Sequence, residues 1–221
     1  SSATTHLMEA MHYKGMLRVC GRDNGIRLYA VHEHGDAPRS AAERRNRLDA
    51  LVDVLIDLYA PIPALSLTFI LSRLRYAAPQ WQPQIRAAID RAKARVSRAT
   101  IDGHTWYWPA DEEPVDAEPD GVRMLAPFDP VVWDRRRFEL LWGWAYRFEA
   151  YTPAPKRKHG YYALPLLWRD QVIGWANVTR QDGAVEADFG YASGRAPRAR
   201  DFHNALDEDV ERLRKFLRPT A

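Results

Sequence analysis

Along this chain the apolar positions switch between two periods, and the switches mark the elements. Leu48, Val52, Leu55 and Tyr59 fall three or four residues apart, which predicts a helix with one buried face. Ser40 and Glu43 stand ahead of them as a capping box, each side chain placed to satisfy a backbone N–H of the other. Pro61 and Pro63 stop that helix, because proline offers no N–H and clashes with the preceding turn. Leu67, Ile70, Leu71 and Leu74 predict a second, short helix. A third opens at Pro83, a favoured first-turn residue, with Ile85, Ala88, Ile89, Ala92 and Val96 on one stripe. Its opposite stripe carries Gln84, Arg86, Arg91, Lys93 and Arg95. Ala99-Thr-Ile, Asp102-Gly103 and the run His104 to Trp108 follow, and Asp-Gly between β-prone runs predicts a tight hairpin. Three helices and then a hairpin is the winged-helix order, in which the third helix faces DNA.

The first residues read as the tail of the same motif. Residues 4–14 predict a helix ended by Gly15, followed by a strand at 16–20, a turn at Asp23-Asn24-Gly25 and a strand at 26–31. The two helices that should precede this unit are missing, so the expectation is a chain that starts inside a domain. Farther on, 122–126 predicts a strand and an arginine-rich, aromatic helix ends at Gly143. Strand-like runs lie at 146–152, 161–168, 171–179 and 184–191, with tight turns at Arg169-Asp170 and Gln181-Asp182-Gly183. A last amphipathic helix starts at Asp201, with Phe202, Leu206, Leu213 and Phe216 facing inward. The expected fold class is α+β. A partial winged helix over 1–36 is followed by a winged helix over 37–110 and an acidic linker over 111–120. A small antiparallel β-rich domain with flanking helices then covers 121–221.

Composition narrows the class. With 46% hydrophobic and 28% charged residues the chain can bury a core, which excludes wholesale disorder. One cysteine, Cys20, excludes an internal disulfide framework and a cysteine-rich zinc site, and suggests a reducing, intracellular compartment. The most apolar stretch, 51–71, is broken by Asp53, Asp57, Pro61 and Pro63, so no transmembrane span is predicted. The net charge of +3 hides an uneven distribution: 111–120 holds six acidic groups and no basic one, leaving +9 on the rest. Arginine, at 27 of the 32 basic residues, has the planar fork that suits phosphates and guanine edges. An excess of this kind points to a polyanionic partner.

Few motifs carry chemistry. His32 and His34 form the only close histidine pair and lack a third and fourth ligand, so no metal is expected. Neither a glycine-rich phosphate loop nor a nucleophile elbow is present. Pro155-Lys156-Arg157-Lys158-His159-Gly160, flanked by Tyr151 and Tyr161-Tyr162, reads as a basic hairpin tip with aromatic shoulders, suited to phosphate contact and stacking.

Three runs carry a resemblance: Met124-Leu-Ala-Pro-Phe-Asp-Pro-Val-Val-Trp-Asp-Arg-Arg-Arg137, Tyr146-Arg-Phe-Glu-Ala-Tyr-Thr-Pro-Ala-Pro-Lys-Arg157 and Gly160-Tyr-Tyr-Ala-Leu-Pro-Leu-Leu167. They resemble the winged-helix DNA glycosylases that unhook interstrand crosslinks and excise alkylated bases, the AlkZ/YcaQ family. The resemblance implies tandem winged helices and a β-rich C-terminal domain that clamp double-stranded, damaged DNA. It also implies hydrolysis of the N-glycosidic bond without metal or cofactor. The family's catalytic Gln-x-Gln or Gln-x-Asp lies in a first winged helix that this chain lacks, so no catalytic residue is expected here. Gln80-Trp81-Gln82 reads as a coincidence. After Gly174 the family shows arginine, aspartate and lysine on alternate residues, where this chain has Trp175, Asn177 and Thr179.

The expected function is therefore the DNA-binding portion of a repair glycosylase for alkylated bases or crosslinks, with a non-enzymatic, regulatory winged-helix protein as the alternative. The expected DNA contacts are Arg22, Asn24, Arg27, Gln84, Arg86, Lys93, Lys156, Arg157, Lys158 and His159. Asp129, Trp133, Asp134 and Arg135 are expected to wall a lesion pocket. A cytoplasmic, nucleoid-associated monomer that touches no membrane completes the expectation.

Overall fold

The computed structural model describes residues 2–35, 37–113, 115, 119–181 and 184–217, and backbone packing divides the chain into two units, Ser1–Arg47 and Leu48–Ala221. In the first unit, helix α1 (Ala3–Tyr13) is capped by Ser2, whose hydroxyl accepts the Thr5 N–H at 3.2 Å. Gly15, at φ +77°, takes the left-handed turn that ends it. Strands β1 (Leu17–Asp23) and β2 (Ile26–Val31) pair antiparallel from Leu17 opposite Val31 to Asp23 opposite Ile26. Asn24 and Gly25 both have positive φ, as a two-residue hairpin turn of this hand requires. The predicted capping box forms as the chain enters α2 (Ala41–Tyr59). Ser40 Oγ accepts the Glu43 N–H at 3.1 Å, and Glu43 Oε2 accepts from the N–H groups of Ser40 and Arg39.

The second unit is built on two layers of contact. Strand β3 (Ile62–Pro63), helices α3 (Ala64–Ser72) and α4 (Leu74–Ala77), helix α5 (Ile85–Arg95) and strands β4 (Ser97–Ile101) and β5 (His104–Trp108) follow one another. Their sheet has the order β3-β5-β4. Leu48, Val52, Ile56, Leu67, Leu71, Ala88 and Ala92 close one core; the predicted stripes face it, but in α2 Ile56 is fully buried while Leu55 and Tyr59 are only partly so. Pro79 and Pro83 both lie in a 3-10 turn spanning Pro79–Gln84, so α5 starts two residues later than Pro83 suggested. Arg91 grips Asp49 with two nitrogens at 2.6 and 3.0 Å, and Arg95 reaches Asp53 at 2.6 Å. These pairs, one turn apart, tie α5 to α2. Two residues of the expected polar stripe therefore serve the fold, with net gain kept small by solvent at half-exposed sites.

Beyond them, β6 (Val122–Met124), β7 (Leu164–Trp168), β8 (Gln171–Gln181) and β9 (Ala184–Tyr191) form a four-stranded antiparallel sheet in sequence order. Gly174 allows β8 and β9 to touch: a Cβ there would collide with the Gly190 carbonyl. Helix α8 (Arg200–Phe216) covers one part of the sheet through Phe202, Leu206 and the half-buried rings of Trp168 and Tyr191. Short helices α6 (Pro130–Trp133) and α7 (Arg135–Trp142) cover another through Val132 and Phe138, with Tyr146 packed beside them.

The mixed helix-and-sheet class holds, with three corrections. The run 146–152 is not a strand: Tyr146 donates to the Ala163 carbonyl at 2.7 Å, and Glu149 gathers backbone N–H groups from its own loop. The single helix expected before Gly143 is two, because Asp134 breaks it and caps the second. Phe216 is 82% exposed although the helical period keeps it on the side of Phe202 and Leu206; it is the last residue of α8 and falls beyond the core those two close. Residues 114 and 116–118 of the expected acidic linker, and the expected turn at Asp182-Gly183, lie outside the described residues.

Leu71→Ala should therefore cost about 2–5 kcal/mol, the usual range for emptying a fully buried site. Phe216→Ala should stay within about 0.5 kcal/mol. Urea unfolding of both variants checks the pair.

Candidate nucleic-acid interface

The block Pro127 to Arg137 folds through its two aspartates. Asp129 Oδ1 accepts the Val131 N–H at 2.9 Å and opens α6. Asp134 Oδ1 accepts the N–H groups of Arg136 at 3.1 Å and Arg137 at 3.4 Å and opens α7. Arg137 turns inward and is 4% exposed, donating to the carbonyls of Pro130 and Ala60 at 3.1 and 3.2 Å. Burial lowers its pKa, while Asp134, Asp129 and Tyr59 oppose that shift.

The break at Asp134 leaves Trp133 beside Phe69 and Tyr59, with ring centres 6.2 and 5.9 Å away. A cleft of about 470 Å³ opens there, lined by Ser66, Phe69, Phe128, Trp133, Asp134 and Phe148, among others. Its volume falls within the range of roughly 300–1,000 Å³ usual for small-molecule sites. Trp133, Asp134 and Arg135, three of the four expected wall residues, do line it; Asp129 acts instead as the cap of α6. Sequence reasoning missed Ser66, Phe69, Phe128, Tyr146 and Phe148. The density of aromatic residues between 128 and 148 was the available signal. Two of the lining residues each keep one side-chain oxygen, Ser66 Oγ and Asp134 Oδ2, buried without a hydrogen-bond partner.

The basic segment beside it is a folded loop rather than a hairpin tip. Glu149 sits inside, its Oε2 accepting the N–H groups of Lys158, His159 and Gly160 at 2.9, 2.8 and 3.3 Å. Burial opposes ionisation of Glu149, but those backbone donors outweigh it and hold the carboxyl below its ordinary range. Arg157 donates from Nε to the Thr152 carbonyl at 2.8 Å and lies over the Tyr161 ring at 4.9 Å. Lys156 and Lys158 stay exposed, as does Tyr151, which also lines the cleft.

His159, expected among the DNA contacts, faces inward with its side chain 11% exposed. Its ring packs against Trp175 at 4.5 Å and against Trp144 at 5.8 Å. Burial lowers its pKa; Glu149, 3.9 Å from Nδ1, pulls the other way. Asn177 donates to the His159 carbonyl at 2.8 Å, and its side chain leaves no room for a Cβ on Gly160. Trp175 and Asn177 are thus packing residues of this loop, while Thr179 remains exposed.

The other expected contacts lie elsewhere. Arg22 donates to the Gly25 carbonyl across the first hairpin turn at 3.0 Å, and Asn24 to Asp23 at 3.2 Å. Arg27 lies 3.8 Å from Glu9, and a hydrogen bond with Tyr29 raises its pKa. Gln84 is exposed, Arg86 is 82% exposed and 3.6 Å from Asp90, and Lys93 is half-buried. Gln80 and Gln82 are exposed in the 3-10 turn, whereas Trp81 packs on the core. Neither glutamine lines the cleft.

The cleft is lined by aromatic rings, and Tyr151, ahead of the loop that carries the exposed Lys156 and Lys158, is one of them. The sequence profile of the AlkZ-like DNA glycosylases matches residues 1–216, and the chain belongs to that family. Membership implies DNA as the partner. No solved structure matches the chain. Among the described residues no helix is long and apolar enough to cross a membrane.

The buried loop should be acid-sensitive. Because the native pKa of His159 is lowered, its contribution is complete above about pH 6.5 and declines as pH falls toward the lowered value. Glu149, also lowered, adds a second loss below the ordinary carboxylate range. Urea midpoints followed from about pH 8 down to about pH 3 should fall in two stages, and His159→Gln should remove the upper one.

Proposed function

We propose that this chain is the DNA-gripping portion of a repair glycosylase acting on alkylated bases or interstrand crosslinks. One observation carries the reading: the block from Pro127 to Arg137, which bears the family resemblance, folds as a wall of the aromatic cleft. Supporting it, α2, α3 and α5 with the sheet β3-β5-β4 have the element order of a winged helix over 37–110, and Asp102-Gly103 is the tip of its wing. Helix α1 and the hairpin β1-β2 match the recognition helix and wing of another, over 1–36. A β-rich domain over 121–221 completes the reading.

On DNA, Arg22, Asn24 and Arg27 of the first wing, and Gln84, Arg86 and Lys93 of the second unit, contact phosphates. Lys156, Arg157 and Lys158 do the same from the folded loop. Such contacts position the duplex without reading its sequence. A base must leave the stack before its glycosidic bond can be reached, and the cleft offers aromatic faces to receive it. Hydrolysis then needs an oriented water and stabilisation of an oxocarbenium-like sugar. No residue of 1–221 is assigned that task; in the family it belongs to a glutamine motif. Neither metal nor cofactor enters this reading, and the protein works as a monomer on damaged double-stranded DNA.

Fluorescence titration with a duplex should show non-specific binding whose log K falls with log salt by about 0.9 per phosphate neutralised. Replacing Lys156 and Lys158 together with alanine should flatten that slope by about two phosphate equivalents and leave the urea midpoint unchanged. Absence of binding even at about 50 mM salt would reject the reading.

A further inference from the structure

A second groove, of about 600 Å³, opens where β9 stops short of the start of β8. Tyr191, the last residue of β9, stands opposite Gly174, so Gln171 and Val172 have no β9 residue beside them. Two indoles fill in. Trp142 donates its N–H to the Asp170 carbonyl at 2.9 Å, and Trp144 donates to the Val172 carbonyl at 2.7 Å. Both rings are half-buried and line the groove together with Tyr191.

The loop that follows β9 supplies charge, and it is braced. The Ala192 N–H donates to the Ile173 carbonyl at 2.9 Å, and the N–H of Gly194, at φ +78°, donates to the Tyr191 carbonyl at 2.9 Å. Ser193 Oγ donates to the Arg195 carbonyl at 3.0 Å, and Pro197 fixes one more backbone angle. This frame presents Arg195 and Arg198, both exposed and both lining the groove. Neither guanidinium has a hydrogen bond, ion pair or ring contact with a described residue, whereas nearby Arg169 pairs with Asp201 at 2.9 Å. Among the described residues no carboxylate lines the groove. Two cations on one short, braced loop repel each other, and an anionic occupant relieves that repulsion.

Phosphate matches the planar fork of arginine, and the aromatic lining suits a base. A groove with the volume of a small-molecule site takes a nucleotide or two and excludes a duplex. A peptide would pair through its backbone at an open strand edge, but the Asp170 and Val172 carbonyls are already taken. Helix α7 links the groove to the aromatic cleft: Arg135 and Arg136 at its start line the cleft, and Trp142 at its end lines the groove. At roughly 1.5 Å per residue those ends lie about 10 Å apart, or about three nucleotides at the roughly 3.4 Å spacing of one strand. We propose that the groove is a single-strand subsite, in which Arg195 and Arg198 hold phosphates of an unpaired DNA strand and the Trp142–Trp144 side stacks one of its bases. The inference rests on DNA being the partner, as in the proposed function. It names the form of DNA selected: a duplex that adjoins an unpaired strand.

The test titrates the chain with a blunt duplex, with the same duplex carrying a 5′ or a 3′ thymidine tail, and with free oligothymidylate. Stacking one base changes affinity about fivefold or more, so at least one tailed duplex should bind about fivefold tighter than the blunt one. Replacing Arg195 and Arg198 together with alanine should remove that advantage and flatten the salt slope for the free strand by roughly 1.4. Blunt-duplex affinity should stay within about twofold, and the urea midpoint should not move, because neither side chain has a partner to lose. A strand of equal charge lacking its bases should bind the parent chain more weakly than oligothymidylate. The inference falls if neither tail improves binding, if the advantage survives the double substitution, or if the baseless strand binds as well. It also falls if a polyglutamate peptide of equal charge displaces the tail, which would assign the groove to acidic peptides. The blunt duplex tests the proposed function separately. A chain that ignores it, yet binds the tailed duplex through these arginines, would reject that function and leave the groove assigned; a chain that binds none of these DNAs would overturn both.

Discussion

Asp134 is the residue on which the functional half of the fold turns. Were it a good helix former, the run from Pro130 to Trp142 could continue as one rod. Instead its Oδ1 collects the first N–H groups of α7, and the chain bends there. The bend sends Arg137 inward to carbonyls of Pro130 and Ala60, and leaves Trp133 against Phe69. One capping interaction, of a kind worth roughly 1 kcal/mol in isolation, therefore decides where a buried arginine and an exposed tryptophan lie. The cleft exists because that bend exists.

Local chemistry was the part of the fold most legible in the sequence. The capping box at Ser40, the Asn24-Gly25 and Asp102-Gly103 turns and the buried stripes of α2, α3 and α5 depend on residues near one another, and each formed where the pattern placed it. Two of the failures were non-local. The run 146–152 looks β-prone, yet Glu149 finds backbone donors nine to eleven residues ahead and closes a loop instead. Arg91 and Arg95 look free on a helical wheel, but their partners lie 42 residues earlier.

The site was legible in the same proportion. Trp133, Asp134 and Arg135 belong to an unusual run and line the cleft; Ser66 and Phe69, on a helix far earlier in the chain, carry no signal of their own. His159 shows how a charge run misleads. It sits among lysines and arginine, but Trp175 and Asn177 bury it, and its neighbours Lys156 and Lys158 alone stay fully outside. Trp175 and Asn177, uncharged and on one face of β8, build the wall on which this histidine rests.

The loop around Glu149 carries its own counter-ion. Successive backbone N–H groups of Lys158, His159 and Gly160 converge on one oxygen, the geometry with which proteins elsewhere cradle a phosphate. Here the cradle is filled from within. In the proposed complex a phosphate would find those three donors already taken and would meet instead the ends of the exposed Lys156 and Lys158. Such a surface would attract a strand without dictating its path, and so would accept a backbone bent out of shape as readily as a regular one.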